Sequence, residues 1–562
     1  MKHTLPLLLA ISSLVSQAQQ PGEGTAPPAA VKHWQDDRFG MFIHWGPVSL
    51  KGTEIGWSRG TQVPAEEYDN LYKRFDPTLF NADEWASVAK AAGMKYLVLT
   101  TKHHDGFCLW DTRQTDYNIM NTPFKRDVVK ELAEACRKQQ IDFGVYYSTC
   151  DWWHPLFPNA SPGQTKPKAD LKAYDAYLRA QTAELLTNYG PIFTMWFDVP
   201  QSYNSTFGIP MVAGLRKLQP DLMVNSRAYS LAGHDDIAHA PVGDYSTPEQ
   251  KVGAFDMTRP WETCMTLCNQ WAWRPNDPMK SLQQCLHTLI RTNGGNGNLL
   301  FNVGPMPDGR IEPGQVDRLR EMGSWLAKNG ESLYGTRGGP WKVGKKTVST
   351  RKDHRIFIHV LDPAESTLEL NALPVAIKSA RLLNGPSIQH ETSQGILKLE
   401  IPKDSMDPID SIVELTIAGN ALDLDPIPAL DSSLIDPAMK ATVSAVYQDN
   451  PRYAGSMAID GKEETRWATP AGTGECSLVI DLLKPLTFAR IEIDEAEGKR
   501  VKKFEFQAEQ NGVWKTLHAG TELGAAFEAA FPSVTARKVR LQILEATEGP
   551  TIQEIRLFAP KR

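Results

Sequence analysis

From residue 39 to about 335, short β-rich runs alternate with stretches of helical period, and that alternation restricts the region to a parallel α/β sheet. The spacing predicts strands over 39–44, 95–101, 142–147, 192–197, 221–225, 262–267 and 298–303, with an eighth sought within 237–245. Helices are predicted over 81–92, 126–139, 170–189, 207–218 and 279–292; Trp85, Val88, Ala89 and Ala92 line one face of the first, and Asn81 is placed to cap it. Roughly 300 residues of such units match an irregular (β/α)₈-like barrel. A doubly wound open sheet is the competing fold, but no Gly-rich fingerprint follows the first strand to mark a nucleotide crevice.

With 562 residues the chain exceeds one ordinary domain. From about 336 to 420 the texture turns to short alternating runs (355–361, 367–370, 377–383, 397–401), which predict a small antiparallel β-sandwich. Residues 421–438 are rich in Pro and Asp and read as a linker, and 439–560 read as a second all-β module. At the other end, Lys2 and His3, the apolar stretch Leu5 to Val15 and the small-x-small Ser16-Gln17-Ala18 have the layout of a secretory signal cut after Ala18, with 19–30 as a loose leader. An exported protein, secreted or periplasmic, without a membrane span is expected. The net charge of −6 with interspersed signs gives no basic face for nucleic acid. The seven cysteines lack zinc or disulfide-scaffold spacing; Cys264 and Cys268 pair with each other or with neither.

Chemistry-bearing residues gather at the predicted strand ends. Asp198 closes the apolar run 192–197; His44 and Trp45 end the first strand, and His103 and His104 follow the second. Tyr146, Tyr147 and Ser148 end the third, and Asn225 and Arg227 the fifth. A barrel brings all of these to one face. Each alone also reads as a turn cap or a core residue; together they are hard to explain by packing. Adjacent His103 and His104 point to opposite sides of an extended chain, which argues against a shared metal ion. Histidine, arginine and tyrosine donors beside tryptophan faces suit a sugar better. Sugar hydrolysis needs two carboxyl groups. Asp198 supplies one; Glu249, in a Pro- and Gly-bearing loop, and Glu262, at the entry of a strand, compete for the other.

Seven strings in order carry a resemblance: Phe-Gly-Met-Phe-Ile-His-Trp-Gly (39–46), Lys-His-His-Asp-Gly-Phe (102–107), Gly-Val-Tyr-Tyr-Ser (144–148), Met-Trp-Phe-Asp (195–198), Thr-Pro-Glu-Gln (247–250), Trp-Glu-Thr-Cys (261–264) and Asn-Gly-Asn-Leu-Leu-Phe-Asn-Val-Gly-Pro (296–305). Over roughly residues 32–340 the chain resembles the α-L-fucosidases of glycoside hydrolase family 29. The resemblance implies a retaining, exo-acting enzyme on fucosylated oligosaccharides or glycoconjugates, needing no metal or cofactor in the active site. It implies Asp198 as nucleophile, Glu249 as acid/base with Glu262 as runner-up, and His44, Trp57, His103, His104, Tyr147, Trp196 and Arg227 as fucose contacts. Val199 stands where the family usually has Gly. The stretch 54–61 and the Thr-Pro-Glu-Gln loop resemble the branch restricted to α-1,3 and α-1,4 fucose; a broad-specificity fucosidase is the alternative, and a fucose-binding lectin on an inactive barrel the alternative of another class. Ala-Ile-Asp-Gly (458–461), Thr-Arg-Trp (465–467) and Leu-Val-Ile-Asp-Leu (478–482) make the last segment resemble a discoidin-like (F5/8 type C) carbohydrate-binding module, which implies a structural calcium near Asp460.

Overall fold

The computed structural model describes residues 24–161, 164–430, 433–436, 438–461, 465–496 and 498–560. The expected signal, residues 1–18, lies outside the described residues. They divide into two compact units, with the boundary between Pro428 and Ala429. Among them, no helix is long and apolar enough to cross a membrane.

The first unit is built on seven parallel strands: β1 (Phe39–Ile43), β2 (Tyr96–Lys102), β3 (Asp142–Ser148), β4 (Thr194–Asp198), β5 (Met223–Val224), β6 (Glu262–Thr266) and β7 (Asn298–Val303). Hydrogen bonding runs β5-β4-β3-β2-β1-β7-β6. The gap between β5 and β6 is filled by 243–250 without a regular strand: isolated parallel bridges join Asn225 to Tyr245, Ser246 to Trp261 and Glu249 to Cys264. The Asp244 carboxylate fixes this piece, accepting from Val224 N (2.7 Å), Arg216 Nη2 (2.6 Å) and Ala26 N (2.7 Å). The eighth element therefore falls at the end of the expected window and beyond it, because Gly243 and Pro248 prevent a regular ladder.

Helices Ala82–Ala91, Val128–Gln139, Leu171–Asn188, Ser205–Leu218, Leu282–Gly294 and Pro313–Asn329 belong to the same unit. Asn81 caps the first as expected, its side chain accepting from Glu84 N. One apolar core, including Leu97, Val145, Leu132 and Leu178, lies between strands and helices. A second, aromatic core (Phe42, Tyr96, Tyr146, Trp196, Tyr245) fills the barrel interior. Gly40 serves this interior: a Cβ there would lie 2.4 Å from the Tyr96 ring. Part of the expected loose leader is ordered, since Pro28 opens a helix over Pro28–Asp37 and Ala26 is buried.

Five antiparallel strands (Arg337–Gly338, Thr347–Lys352, Arg355–Val360, Ser411–Ile417, Ile377–Leu382) face three others (Thr367–Asn371, Ile396–Glu400, Gln389–Ser393) around Ile358, Leu397, Val413 and Leu415. Residues 421–428 do not behave as a linker: Ile427 N bonds Pro340 O, Lys342 N bonds Ile427 O, and Arg351 Nη1 reaches the carbonyls of Ala421 and Leu424. The second unit is an antiparallel β-fold around Trp467, Phe488, Phe506 and Leu541. Its runs 477–482 and 488–494 belong to one strand, Cys476–Glu495, whose register shifts between Asp481 and Leu486. All seven cysteines are buried and unpaired, so Cys264 and Cys268 do not bond to each other.

Candidate functional site

Asp198 ends β4 with its side chain 14% exposed. Its Oδ1 accepts from Arg227 Nη1 and from Val199 N, both at 2.9 Å; its Oδ2 accepts from Tyr146 OH at 3.0 Å and faces His104 Nε2 at 3.8 Å. Asn225 bonds both the N–H and the carbonyl of Phe197, locking β4 to the chain where β5 stops. Arg227 follows directly and is held by Thr247, its Nε on Oγ1 and its Nη2 on the carbonyl, each at 2.9 Å. The guanidinium lies over the Trp196 ring at 5.0 Å. Its Nη1 also meets Glu249 Oε2 at 2.9 Å, so one nitrogen touches both carboxylates. Glu249 sits on the irregular 243–250 piece with its side chain 41% exposed.

Burial opposes the charge on Asp198, but Arg227, His104 and the Val199 N–H outweigh it and hold the carboxyl below its ordinary range. Burial pushes the imidazoles the other way: His44 falls to about 3, His104 to about 4, and His103 also lies well below its usual value. All three are therefore neutral near pH 7 and offer one donor and one acceptor each. His44 Nδ1 is 2.7 Å from Asn302 Oδ1, and His104 Nδ1 is 2.7 Å from Ser148 Oγ. His103 stacks on Tyr146, and its buried Nδ1 has no hydrogen-bond partner among the described residues.

The histidine pair departs from the alternation argument. The register between β2 and β3 shifts at Thr100–Lys102 and the strand ends at Lys102, so the two rings lie side by side, centroids 3.9 Å apart. Gly56, at φ +67°, lets the loop that carries Trp57 approach them: a Cβ there would lie 2.7 Å from His103 Nδ1. Trp57 is 46% exposed and meets His104 edge-on at 5.3 Å. Trp196 forms the floor, stacked against Tyr146.

Tyr147, expected at the sugar, is not in the site. Successive strand residues face opposite sides: Tyr146 points inward to Asp198, while Tyr147 points into the outer core, bonding Gln181 Oε1 and Lys102 Nζ at 2.8 Å each. Glu262 lies beneath the site rather than at its mouth. It is fully buried, its oxygens accepting from Tyr96 OH (2.5 Å) and Trp196 Nε1 (3.0 Å), and burial raises its carboxyl to about 7 against the pull of those donors. It supports the Trp196 floor. Trp271, which the strand-end pattern missed, stands over His44 with centroids 4.8 Å apart. Glu54 holds it by accepting from Trp271 N and Ala272 N, and Asn302 by donating to its carbonyl. The aromatic pair Trp271 and Trp273, soon after a strand, was the available signal.

Val199 has φ of +48°, a left-handed conformation that is a strong outlier for a β-branched residue. Thr149 Oγ1 clamps the turn by donating to the carbonyls of Asp198 and Val199, both at 2.9 Å. Glycine, the residue expected from the resemblance, is the one this backbone favours. The three site histidines do not form a metal-ligand group with one another. Among the described residues such a group occurs at His33, Asp37 and Asp142, at the opposite, N-terminal end of β3.

The alpha-L-fucosidase family model matches residues 11–331, more than half of the chain, and the F5/8 type C domain model matches residues 440–556. The human plasma alpha-L-fucosidase is 32% identical over 347 residues, 56% of this chain and 71% of that protein; an alpha-L-fucosidase of Branchiostoma floridae is 30% identical over 393 residues, 63% of this chain and 85% of that protein. Among solved structures, alpha-L-fucosidase isoenzyme 1 from Paenibacillus thiaminolyticus is 33% identical with a TM-score of 0.64, covering 69% of this chain and 99% of that one. A Bacteroides thetaiotaomicron GH29 alpha-L-fucosidase, trapped as a covalent intermediate with 2-fluoro-fucosyl fluoride, is 26% identical with a TM-score of 0.65, covering 70% of this chain and 98% of that one. The chain therefore belongs to the glycoside hydrolase family 29 alpha-L-fucosidases, glycosidases that release fucose, and carries an F5/8 type C domain after its catalytic region.

Proposed function

We propose that the protein is an exported, retaining α-L-fucosidase in which Asp198 is the nucleophile and Glu249 the acid/base. The observation that carries this reading is the shared Arg227 nitrogen, 2.9 Å from an oxygen of each carboxylate, so those oxygens are no more than twice that distance apart. Retaining glycosidases space the pair about 5–5.5 Å apart, whereas inverting ones leave about 6.5–9.5 Å for a water. Asp198 is built to stay ionised and attack C1 of fucose. Glu249, reachable by solvent, exchanges protons and gives one to the departing glycosidic oxygen once the aglycone parts it from Arg227. The C1–oxygen bond breaks and a fucosyl ester forms on Asp198. Water then attacks C1 as Glu249 takes its proton, and Asp198 leaves. The covalent intermediate trapped in the Bacteroides relative supports this sequence. Neutral His44, His103 and His104 are placed to bond the fucose hydroxyls, and Trp57, Trp196 and Trp271 to cover its apolar faces. A 2-fluoro-fucoside should label the peptide that contains Asp198; a label elsewhere overturns the assignment.

The linkage we assign is α-1,3/1,4 fucose on branched glycans. Its support is the Trp57 loop, which lies against His104, and the Thr-Pro-Glu-Gln piece, which brings Glu249 to Arg227; to these two segments we assign contact with a second arm of the substrate. Arg59 on the same loop is tied elsewhere: its Nε and Nη2 donate to Asp69 (2.6 and 2.7 Å) and its Nη1 to the Ala160 carbonyl (2.7 Å). Remote contacts that strengthen in the transition state raise kcat/KM for the branched substrate. Lewis a and Lewis x trisaccharides should be cleaved far better than 2′-fucosyllactose; equal kcat/KM values would return the enzyme to the broad branch. Export predicts a mature N-terminus at Gln19, read by mass spectrometry of secreted protein. In the module, Asp460 Oδ1 accepts from Thr465, and Glu554 Oε2 accepts from Gly461 N, which brings two carboxyls to the Asp-Gly turn. Those oxygen donors fit a calcium ion, and added calcium should raise the module's Tm.

A further inference from the structure

We infer that Trp153 is a stacking platform for a hexopyranose ring of the glycan on the acceptor side of the fucose, an inference that rests on the fucosidase reading above. Trp153 follows the C-terminal end of β3, the barrel face onto which the site opens, and is 40% exposed. A lone exposed aromatic needs no explanation, but this ring is fixed in orientation. One face stacks on Tyr117 with centroids 4.3 Å apart and planes inclined by 21°. Tyr117 is itself buried, edge-on to Tyr72 and Phe107 at 5.2 Å each.

The backbone beneath the ring is pinned as firmly. The fully buried Asp151 accepts from Trp153 N (3.1 Å) and His154 N (2.8 Å) with one oxygen and pairs with buried Lys102 (3.2 Å) with the other. Trp152 N donates to the His104 carbonyl at 2.8 Å, and the Trp152 ring meets both His104 and Trp57. A flat apolar surface is thus fastened, through Trp152, to the strand end that carries a fucose-facing histidine. Little side-chain freedom is lost when a ligand covers such a ring, which is the condition for useful affinity from one stacking contact. The ligand that suits it is a pyranose with a continuous C–H face; galactose, whose axial 4-hydroxyl leaves C3, C4 and C5 hydrogens on one side, fits best. With Arg59 tied to Asp69 and Ala160, Trp153 adds an apolar surface to what the second arm of a branched substrate can meet.

The test uses the full chain with Trp153→Ala and Trp153→Phe. The ratio of kcat/KM on Lewis a trisaccharide to that on 4-nitrophenyl α-L-fucoside should fall about tenfold in the alanine variant and be largely restored by phenylalanine. In parallel, saturation-transfer NMR with the fucose-free disaccharide Gal-β-1,3-GlcNAc should show transfer to galactose C–H protons in the wild type and its loss in Trp153→Ala. An unchanged ratio, an equal loss on both substrates, or undiminished transfer in the alanine variant overturns the platform. The NMR arm needs no turnover, so a wild type inactive on both fucosides would sink the fucosidase reading while the platform was still decided.

Discussion

Asp198 and Glu249 reach the same guanidinium from walls of opposite construction. Asp198 closes a strand that is hydrogen-bonded to regular neighbours, lies almost buried, and has both oxygens committed to donors. Glu249 rides on a piece that makes only isolated bridges, held by the Asp244 carboxylate and the Thr247 contacts to Arg227, with its side chain partly in solvent. A nucleophile must be placed to a fraction of an ångström and kept ionised, which a rigid strand and fixed donors provide. An acid/base must take up and give off protons and meet varied aglycones, which favours a looser, wetter support. With the roles proposed for the two carboxylates, the difference in backbone is a difference in task.

Breaking the rigid side should do most harm. Asp198→Ala should lower kcat on every fucoside by on the order of 10⁴ or more in steady-state assays; a loss under tenfold would mean that the strand-end acid is not the nucleophile. Glu249→Ala should cost about 10²–10⁴ on oligosaccharides but far less on activated aryl fucosides. Azide should rescue this variant as α-fucosyl azide, the anomer left by two inversions, and rescue seen only in a Glu262 variant would exchange the roles. Next comes the adjacent tyrosine pair. Tyr146→Phe removes a donor from Asp198 and should lower kcat/KM about ten- to hundredfold. Tyr147→Phe, by contrast, should leave kcat/KM within about threefold and lower stability by about 1–3 kcal/mol in denaturant unfolding, since buried Lys102 and Gln181 lose a partner. The reverse order would restore Tyr147 to the site.

The last effect is on the pH dependence of stability and leaves the two carboxylates untouched. Glu262, raised to about 7 when folded, keeps its proton in a window where the unfolded chain, titrating near 4.5, has released it. The stability that Glu262 contributes therefore falls as pH rises from about 4.5 to 7. Glu262→Gln mimics the protonated acid toward Tyr96 and Trp196 and lacks this slope. Its Tm should gain on the wild type across that window, by up to about 3 kcal/mol in stability, and the gap should level off above it. A gap independent of pH would mean that Glu262 is ionised in the folded protein throughout.

The regular side of the barrel was legible because its strands are buried on both faces and read as apolar runs; 298–303 was placed to the residue. The same property hid which tyrosine faces inward. In a run apolar on both sides, side is set by register, and only Asp198 two strand positions beyond Trp196 offered a reference. The irregular side was legible in chemistry but not in backbone: Thr-Pro-Glu-Gln marked Glu249, while Gly243 and Pro248 concealed that the piece completes the ring. Trp271 escaped because it is placed by backbone bonds to the distant Glu54 and Asn302, which no local pattern encodes.

The left-handed turn at Val199 has a consequence for how this position tolerates change. Most surface or core sites accept residues of similar bulk; here the ranking should follow backbone dihedral instead. A saturation library at 199, sorted on fucosidase activity, should enrich glycine and then asparagine above alanine and isoleucine, although isoleucine is nearer to valine in shape. Valine then occupies the position as a tolerated occupant of another residue's niche, kept there by Thr149. Replacing that threonine should narrow the choices at 199 further, making two residues that never exchange protons with substrate depend on each other through the shape of the chain alone.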